Sequence, residues 1–228
     1  AENNAILTHS VVDNNSSYMV DTEAPRVDNF TLSDTALKIG DNATVTLGFS
    51  ETVIDFIAAD ITIPNLNNTN TPSGTLYTMS SDNNDNDTWR GTFTPTPDSE
   101  DASNSLSLTA NSYTDLAGND GPAETTANYA IDTLAPTVSS VAITGAEGIQ
   151  NSFVNEGDNV SVTATFSEAV IVDNATANPT LTLVVGSTPR KATYTGGTGT
   201  NLLVFQYMIR AEETDSDGIS IGADALDL

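Results

Sequence analysis

The chain has 228 residues, of which 38% are apolar, below the ~45–50% of an average globular protein. Its 31 acidic and 6 basic residues give a net charge of −25, which excludes nucleic acid and anionic membrane surfaces as partners, since both demand clustered Lys and Arg. With no cysteine and a single histidine, His9, disulfides, thiol chemistry, most zinc sites and most nucleophile–base pairs fall away, and no apolar run approaches the ~20 residues of a membrane span.

In chain order, the first predicted strand is 27–32. Val45, Leu47 and Phe49 then alternate with Thr46 and Gly48, the period-two pattern of a half-buried strand. Strands are predicted next at 61–63, 75–79, 89–93, 105–110 and 123–131, separated by turn-rich stretches at 80–88, 95–104 and 114–122. A second series comprises 138–143, the alternating run 160–166, then 180–185, 192–195, 202–209 and 218–221, with turns at 196–201 and 212–218. No long stretch has helical periodicity. About seven short strands in ~100 residues is the pattern of an immunoglobulin-like sandwich. The expected fold is all-β, with two tandem immunoglobulin-like β-sandwich domains joined by a short proline-containing linker.

The two series are copies. Tyr18-Met19-Val20-Asp21-Thr22-Glu23-Ala24-Pro25 recurs as Tyr129-Ala130-Ile131-Asp132-Thr133-Leu134-Ala135-Pro136, with Asp21 and Asp132 lying 111 positions apart. Gly40-Asp41-Asn42, followed by the run to Phe49-Ser50-Glu51, recurs as Gly157-Asp158-Asn159 and the run to Phe166-Ser167-Glu168, 117 positions on. The second unit therefore carries six extra residues between the motifs. The domains are assigned as 21–131 and 132–228. The Asp-Thr-x-Ala-Pro segments are the joints, where proline fixes φ and biases the preceding residue toward extended backbone.

These motifs, together with Tyr113-Thr114-Asp115-Leu116-Ala117-Gly118-Asn119, resemble the bacterial Ig-like extender repeats of giant type I-secreted RTX and biofilm adhesins. The resemblance implies tandem sandwiches, secretion to the cell surface, and calcium at domain junctions that straightens the rod. The second unit lacks the Asp-x-Ala-Gly-Asn turn.

The order of strands leads to the same cation. In a seven-strand sandwich the turns after strands two, four and six share a pole with the incoming linker. That pole of the first unit carries Asp21 from the linker, Glu51 after strand two, and Asp115, Asn119 and Asp120 after strand six. Oxygen ligands converging from separate loops suit Ca2+, which takes ~6–8 of them, and the ion would relieve repulsion among the carboxylates. The second-unit counterparts are Asp132 and Glu168, with Asp173 as a helper. Such acids also serve simply to cap turns and solubilise domain ends. The run Asp82-Asn83-Asn84-Asp85-Asn86-Asp87 alternates acids and amides like the start of an EF-hand loop, but it lacks that loop's glycine and terminal glutamate and reads as a solvated hairpin turn.

Other signals are weaker. No carboxylate pair stands out for acid–base catalysis, and His9 lies outside both units, so an enzyme is not expected. Trp89 and Tyr113 are the residues able to stack on a sugar, the basis of an alternative reading as a carbohydrate- or ligand-binding accessory module of a secreted enzyme, although a lone Trp in a sandwich usually belongs to the core. Residues 1–20 resemble the last strand of a sandwich whose body is not in this copy, and the second unit reads as lacking that strand. Two explanations stand: a cut through a longer tandem array, or donation of residues 5–20 to the next molecule in a head-to-tail filament. The expected function is an extracellular structural module of an adhesin stalk or surface filament, with neighbouring repeats or copies of itself as partners and its surface target unspecified.

Overall fold

The computed structural model describes residues 10–173, 175 and 178–227. His9 and the first part of the predicted terminal strand lie outside them. The chain divides between Leu134 and Ala135, three residues beyond the predicted boundary.

The first unit is built from short strands: β1 (Val27–Leu32), β2 (Ala36–Lys38), β3 (Ala43–Phe49), β4 (Val53–Ile54), β5 (Ile61–Thr62), β6 (Gly74–Leu76), β7 (Ser80–Ser81), β8 (Thr88–Pro95), β9 (Glu100–Asn104), β10 (Ser107–Leu108), β11 (Thr114–Asp115), β12 (Glu124–Thr125) and β13 (Tyr129–Asp132). One layer has the order β1-β3-β8-β6, with β7 also on β8. In the other, β9 and β10 are successive pieces of one line, flanked on one side by β5 and on the other by β12 and β13, and β13 runs parallel to β2. Four strand lines in each of two layers, with a parallel contact between the split first strand and the last, is an immunoglobulin-like arrangement. The alternation in β3 buries Val45, Leu47 and Phe49 against Phe30, Phe93, Leu108, Tyr113, Tyr129 and Ile131.

The predicted strand 105–110 is displaced in part. Residues 100–104, expected to lie in a turn because they read Glu-Asp-Ala-Ser-Asn, form β9 against β13. The pairing is possible because buried Asp101 accepts from the Asn67 and Ser103 amides at 2.7 and 3.0 Å, so its burial leaves no unpartnered charge.

Among its described residues the second unit has six strands: β14 (Val138–Ala146), β15 (Asn159–Val170), β16 (Thr180–Val185), β17 (Thr188–Gly196), β18 (Thr200–Met208) and β19 (Ser220–Asp227). They form one continuous ladder in the order β14-β15-β18-β17-β16-β19. The ladder folds over at β17, which pairs with β16 through Thr188–Thr193 and with β18 through its last residues. The enclosed core is Val160, Val162, Ala164 and Phe166 of β15 facing Leu181, Leu183, Leu203, Phe205 and Tyr207. The repeat is visible in three dimensions as well. The Ala43–Phe93 pair of β3 and β8 corresponds to the Val160–Tyr207 pair of β15 and β18. In each unit the incoming chain is clasped by a serine, just past β3 in the first unit and within β15 in the second: Arg26 with Ser50, Thr137 with Ser167, through the same pair of hydrogen bonds.

Candidate metal centre

Three segments of the first unit meet at the pole where the linker arrives. Asp21 comes from the extended segment before β1. The Arg26–Ser50 clasp holds that segment with two hydrogen bonds of 2.9 Å, from the Arg26 amide to Ser50 Oγ and from the Ser50 amide to the Arg26 carbonyl. Glu51 sits in the next turn, which carbonyls of the acid–amide run fasten from the other side: Phe49 donates to Asp87, Thr52 Oγ1 to Asp85 and Val53 to Asn86. Asp115 is brought in by β11, whose pairing with β4 sets Asp115 opposite Val53. The turn that follows closes on Gly118 at φ +88, where a side chain would be strained.

The carboxylates of Asp21, Glu51 and Asp115 approach so that one oxygen of each lies within 4.8 Å of the others. Asp21 is exposed, Glu51 half-buried and Asp115 fully buried. Asn119 binds the group together. Its Nδ2 donates to Asp115 Oδ2 at 2.8 Å and to the Glu23 carbonyl at 2.9 Å, and reaches the Asp21 carbonyl at 3.5 Å. Asp115 Oδ1 also accepts from the Ala117 and Asn119 amides at 2.8 and 2.9 Å.

The electrostatics of the two inner acids differ. Donation from the Asn119 side chain holds the Asp115 carboxyl below the usual range, burial opposes it, and the surrounding backbone amides add to the lowering. Glu51 is pushed the other way, first by burial and then by Asp21, Asp115 and Glu23, with Arg26 as the modest counterweight. No hydrogen bond reaches the Glu51 carboxylate among the described residues. A third carboxyl group is thus kept beside two others with its own oxygens unengaged. The three carboxylates, with the Asp21 and Glu23 carbonyls that Asn119 gathers through its Nδ2, are hard oxygen donors and fit Ca2+ rather than a softer metal, Asn119 itself orienting the group rather than adding an oxygen.

The structure brings Asp21, Glu51, Asp115 and Asn119 together. Asp120 is exposed in a bridge with Thr114 and stands outside the three-carboxylate group. Asp132, exposed, closes β13 of the first unit, while Glu168, half-buried, lies in β15 of the second. Asp173 caps its own turn, accepting from the Ala175 amide at 2.9 Å. The Asp21 and Glu23 carbonyls were not foreseen, because carbonyl direction depends on backbone angles that residue types do not specify. The neighbours Glu23 and Arg26, read only as linker, carry a signal in hindsight: they are charged residues flanking Pro25.

The residues able to stack on a sugar are committed elsewhere. Tyr113 is buried, with its hydroxyl donating to the Pro122 carbonyl at 2.9 Å. Trp89 is half-buried and packs edge-on against Phe56 at 5.1 Å. The basic pair is neutralised as well, Arg190 by Glu213 and Lys191 by Asp227.

Two immunoglobulin-like layers around an acidic pole define the class of the first unit, and comparison with known families agrees. Residues 21–131 match the family model described as a bacterial Ig-like domain. No curated protein matches the chain. Among solved structures, the chain is similar to FdeC, an adhesin of Escherichia coli, at 12% identity over 86% of this chain and 60% of that one, with a TM-score of 0.35. It is also similar to the N-terminal part of the bacterial S-layer protein SbsC, at 12% identity over 79% of this chain and 44% of that one, with a TM-score of 0.32. With scores this low, the fold of the first unit rests on its own strand order and on the family match.

Proposed function

We propose that the chain is a non-enzymatic structural module of a bacterial adhesin stalk or surface filament, working outside the cell, and that Ca2+ at the linker pole stiffens it. The observation that carries this reading is the meeting of Asp21, a linker residue, with Glu51 and Asp115, residues of the sandwich body, within 4.8 Å. An ion held by all three fastens the incoming segment to the domain and removes its hinge freedom. Asp21 with the linker carbonyls, Glu51, and Asp115 oriented by Asn119 are the residues that would hold it. The internal repeat, the bacterial Ig-like match and a net charge of −25 support a module that spaces rather than one that reacts. A high surface charge of one sign is tolerated best where salt and divalent ions screen it.

Calorimetric titration of the metal-free chain with CaCl2 tests the reading. A saturable exothermic or endothermic site, lost in Asp115→Asn, is expected, and slower cleavage by a glutamate-specific protease after Glu23 should accompany it. Absence of saturable binding at millimolar CaCl2 refutes the role of calcium.

A further inference from the structure

In the first unit, the outer line of the β1-β3-β8-β6 layer is interrupted between β6 and β7. β6 ends at Leu76, opposite Phe93, and β7 begins at Ser80, opposite Arg90. Between those two pairs, Tyr77, Thr78 and Met79 stand against Thr92 and Gly91 alone. The extra residue makes a β-bulge, anchored by the Tyr77 amide on the Thr92 carbonyl at 2.9 Å. A bulge shifts the in–out alternation by one place. Met79 turns into the core at 6% exposure, while Tyr77 and Thr78, neighbours in sequence, both stay outside. Gly91 permits this, since a Cβ there would come within 2.4 Å of Met79 Sδ.

On the outward face the bulge borders a shallow hollow of about 300 Å³, lined by Thr44, Tyr77, Thr78, Ser80, Arg90 and Thr92. Where Trp89 and Tyr113 pack against other rings, Tyr77 is 56% exposed. Arg90 is fixed before any ligand arrives. Its Nε donates to Asp82 Oδ2 at 3.0 Å and its Nη1 to Thr46 Oγ1 at 2.9 Å. Those bonds engage two of the five N–H donors of a guanidinium. An aromatic ring beside a held planar donor and a set of hydroxyls suits a sugar. The C–H face of a pyranose packs on the ring, and its hydroxyls exchange hydrogen bonds with the guanidinium and the threonines. Tyrosine offers that contact at low entropic cost, and the fixed arginine adds little more. Charge selects the kind of sugar. Asp82 neutralises Arg90 and the chain carries −25, so an acidic sugar finds no net cation here and is repelled.

A bulge on an outer strand also serves simply to block pairing with another sheet. That service asks for neither an aromatic ring nor a held arginine, and the second unit manages without either. The Thr46–Arg90 pair of β3 and β8 corresponds to Thr163–Val204 of β15 and β18. The place opposite Gln206, equivalent to that of Tyr77 opposite Thr92, is taken by Thr193. Phe205, fully buried, stands where the first unit has Gly91. The repeat therefore folds without this combination, and the glycine, the bulge, Tyr77 and Arg90 belong to the first unit alone. We propose that the first unit binds a neutral oligosaccharide in this hollow, with one pyranose ring stacked on Tyr77 and its hydroxyls held by Arg90 and by Thr44 and Thr92. This gives the module a glycan contact on its flank, a role separate from stiffening at the linker pole and independent of any cation there.

Calorimetric titration and saturation-transfer NMR of the full chain test this, using neutral tetrasaccharides of β-glucan, mannan and galactan, with tetragalacturonate as the acidic counterpart. Saturable binding of at least one neutral tetrasaccharide is expected, with a Kd of about 0.1–10 mM, and none of tetragalacturonate. Tyr77→Ala should weaken binding by about tenfold or more, whereas Tyr77→Phe, which keeps the ring, should retain it. Arg90→Lys keeps the charge facing Asp82 but loses the planar fork, and should weaken binding similarly. The Trp89-monitored melt of Tyr77→Ala should match that of wild type, because the side chain it removes is outside the core. Binding should be the same in EDTA and in calcium, so a failure here leaves the cation reading standing, and the reverse. The proposal is overturned if no neutral tetrasaccharide saturates the chain at about 20 mM, if binding ignores Tyr77→Ala, or if tetragalacturonate binds more tightly than every neutral probe.

Discussion

Glu51→Gln should reverse its effect on stability according to whether calcium is present. In the metal-free fold Glu51 is pressed by burial and by two carboxylates within 4.8 Å, where a pair of unit charges costs about 0.9 kcal/mol at a water-like dielectric and about 3.5 kcal/mol at an effective value near 20. Asp21 is exposed, which places its share near the lower figure. Removing the charge should therefore stabilise the metal-free domain by about 1–2 kcal/mol, or about 4–8 °C for a unit of this size. In calcium the sign inverts. A wild-type site at one hundred times its Kd gains about 2.7 kcal/mol, and the variant forfeits most of that with one anionic ligand gone. The pH dependence follows from the same repulsion. The folded state binds the Glu51 proton more tightly than the unfolded chain does, so the cost is absent below the ordinary glutamate value of 4.5, grows as pH rises through the raised value, and is complete at neutral pH. The assay is thermal melting followed by Trp89 fluorescence, which reports the first unit alone because Trp89 is the chain's one tryptophan. A wild-type melt that ignores calcium, or a variant that melts lower than wild type in EDTA at pH 7, refutes the reasoning.

Three further outcomes test the packing. Tyr129→Phe should cost about 1–3 kcal/mol, read as a lower Trp89-monitored melt, because it strands the buried Ser73 hydroxyl that now meets the phenol at 2.8 Å. Gly197→Ala should lower the second unit's melt, followed by tyrosine circular dichroism, by about 2 kcal/mol or more and leave Trp89 untouched, since the residue sits at φ +110 and a Cβ would come within 1.9 Å of the Leu202 carbonyl oxygen. In alkaline titration followed by phenolate absorbance, Tyr113 and Tyr129 should ionise last, as burial pushes both up to about 12. Their contribution is complete below the ordinary tyrosine value of 10.0 and is lost as pH climbs to about 12, ~2–3 kcal/mol each, because the unfolded chain releases those protons first.

How much of this was legible in the sequence depended on where each element draws its stability. β3 and β15 were plain because their alternate apolar residues face a core on one side, so the pattern and the burial coincide. β9 was hidden because nothing in Glu-Asp-Ala-Ser-Asn buries apolar surface by itself. That segment is a strand because β13 lies beside it and Asn67 satisfies Asp101, both distant in sequence. Three-residue β2 escaped for the same reason: it exists as the parallel partner of β13.

The candidate site divides along the same line. Its side chains were recoverable by counting turns along a sandwich, since strand parity decides which pole a turn occupies, and this places Asp21, Glu51, Asp115 and Asn119 in one neighbourhood whatever the loop details. What parity cannot supply is direction within the pole. Asp120 follows Asn119 immediately yet stays exposed, while Asn119 turns inward because the Gly118 turn aims its amide at Asp115 and the linker carbonyls. The second unit makes the converse point. It keeps the clasp to its incoming segment, Thr137 with Ser167, and keeps Glu168, while the buried acid of the first unit comes from a separate element, the turn at Asp115–Asn119. The clasp orients the linker in both units, so it is a property of the repeat. The convergence of three carboxylates requires in addition the turn after strand six, and a cation clamp of the kind proposed for the first unit therefore depends on strand six continuing into that turn.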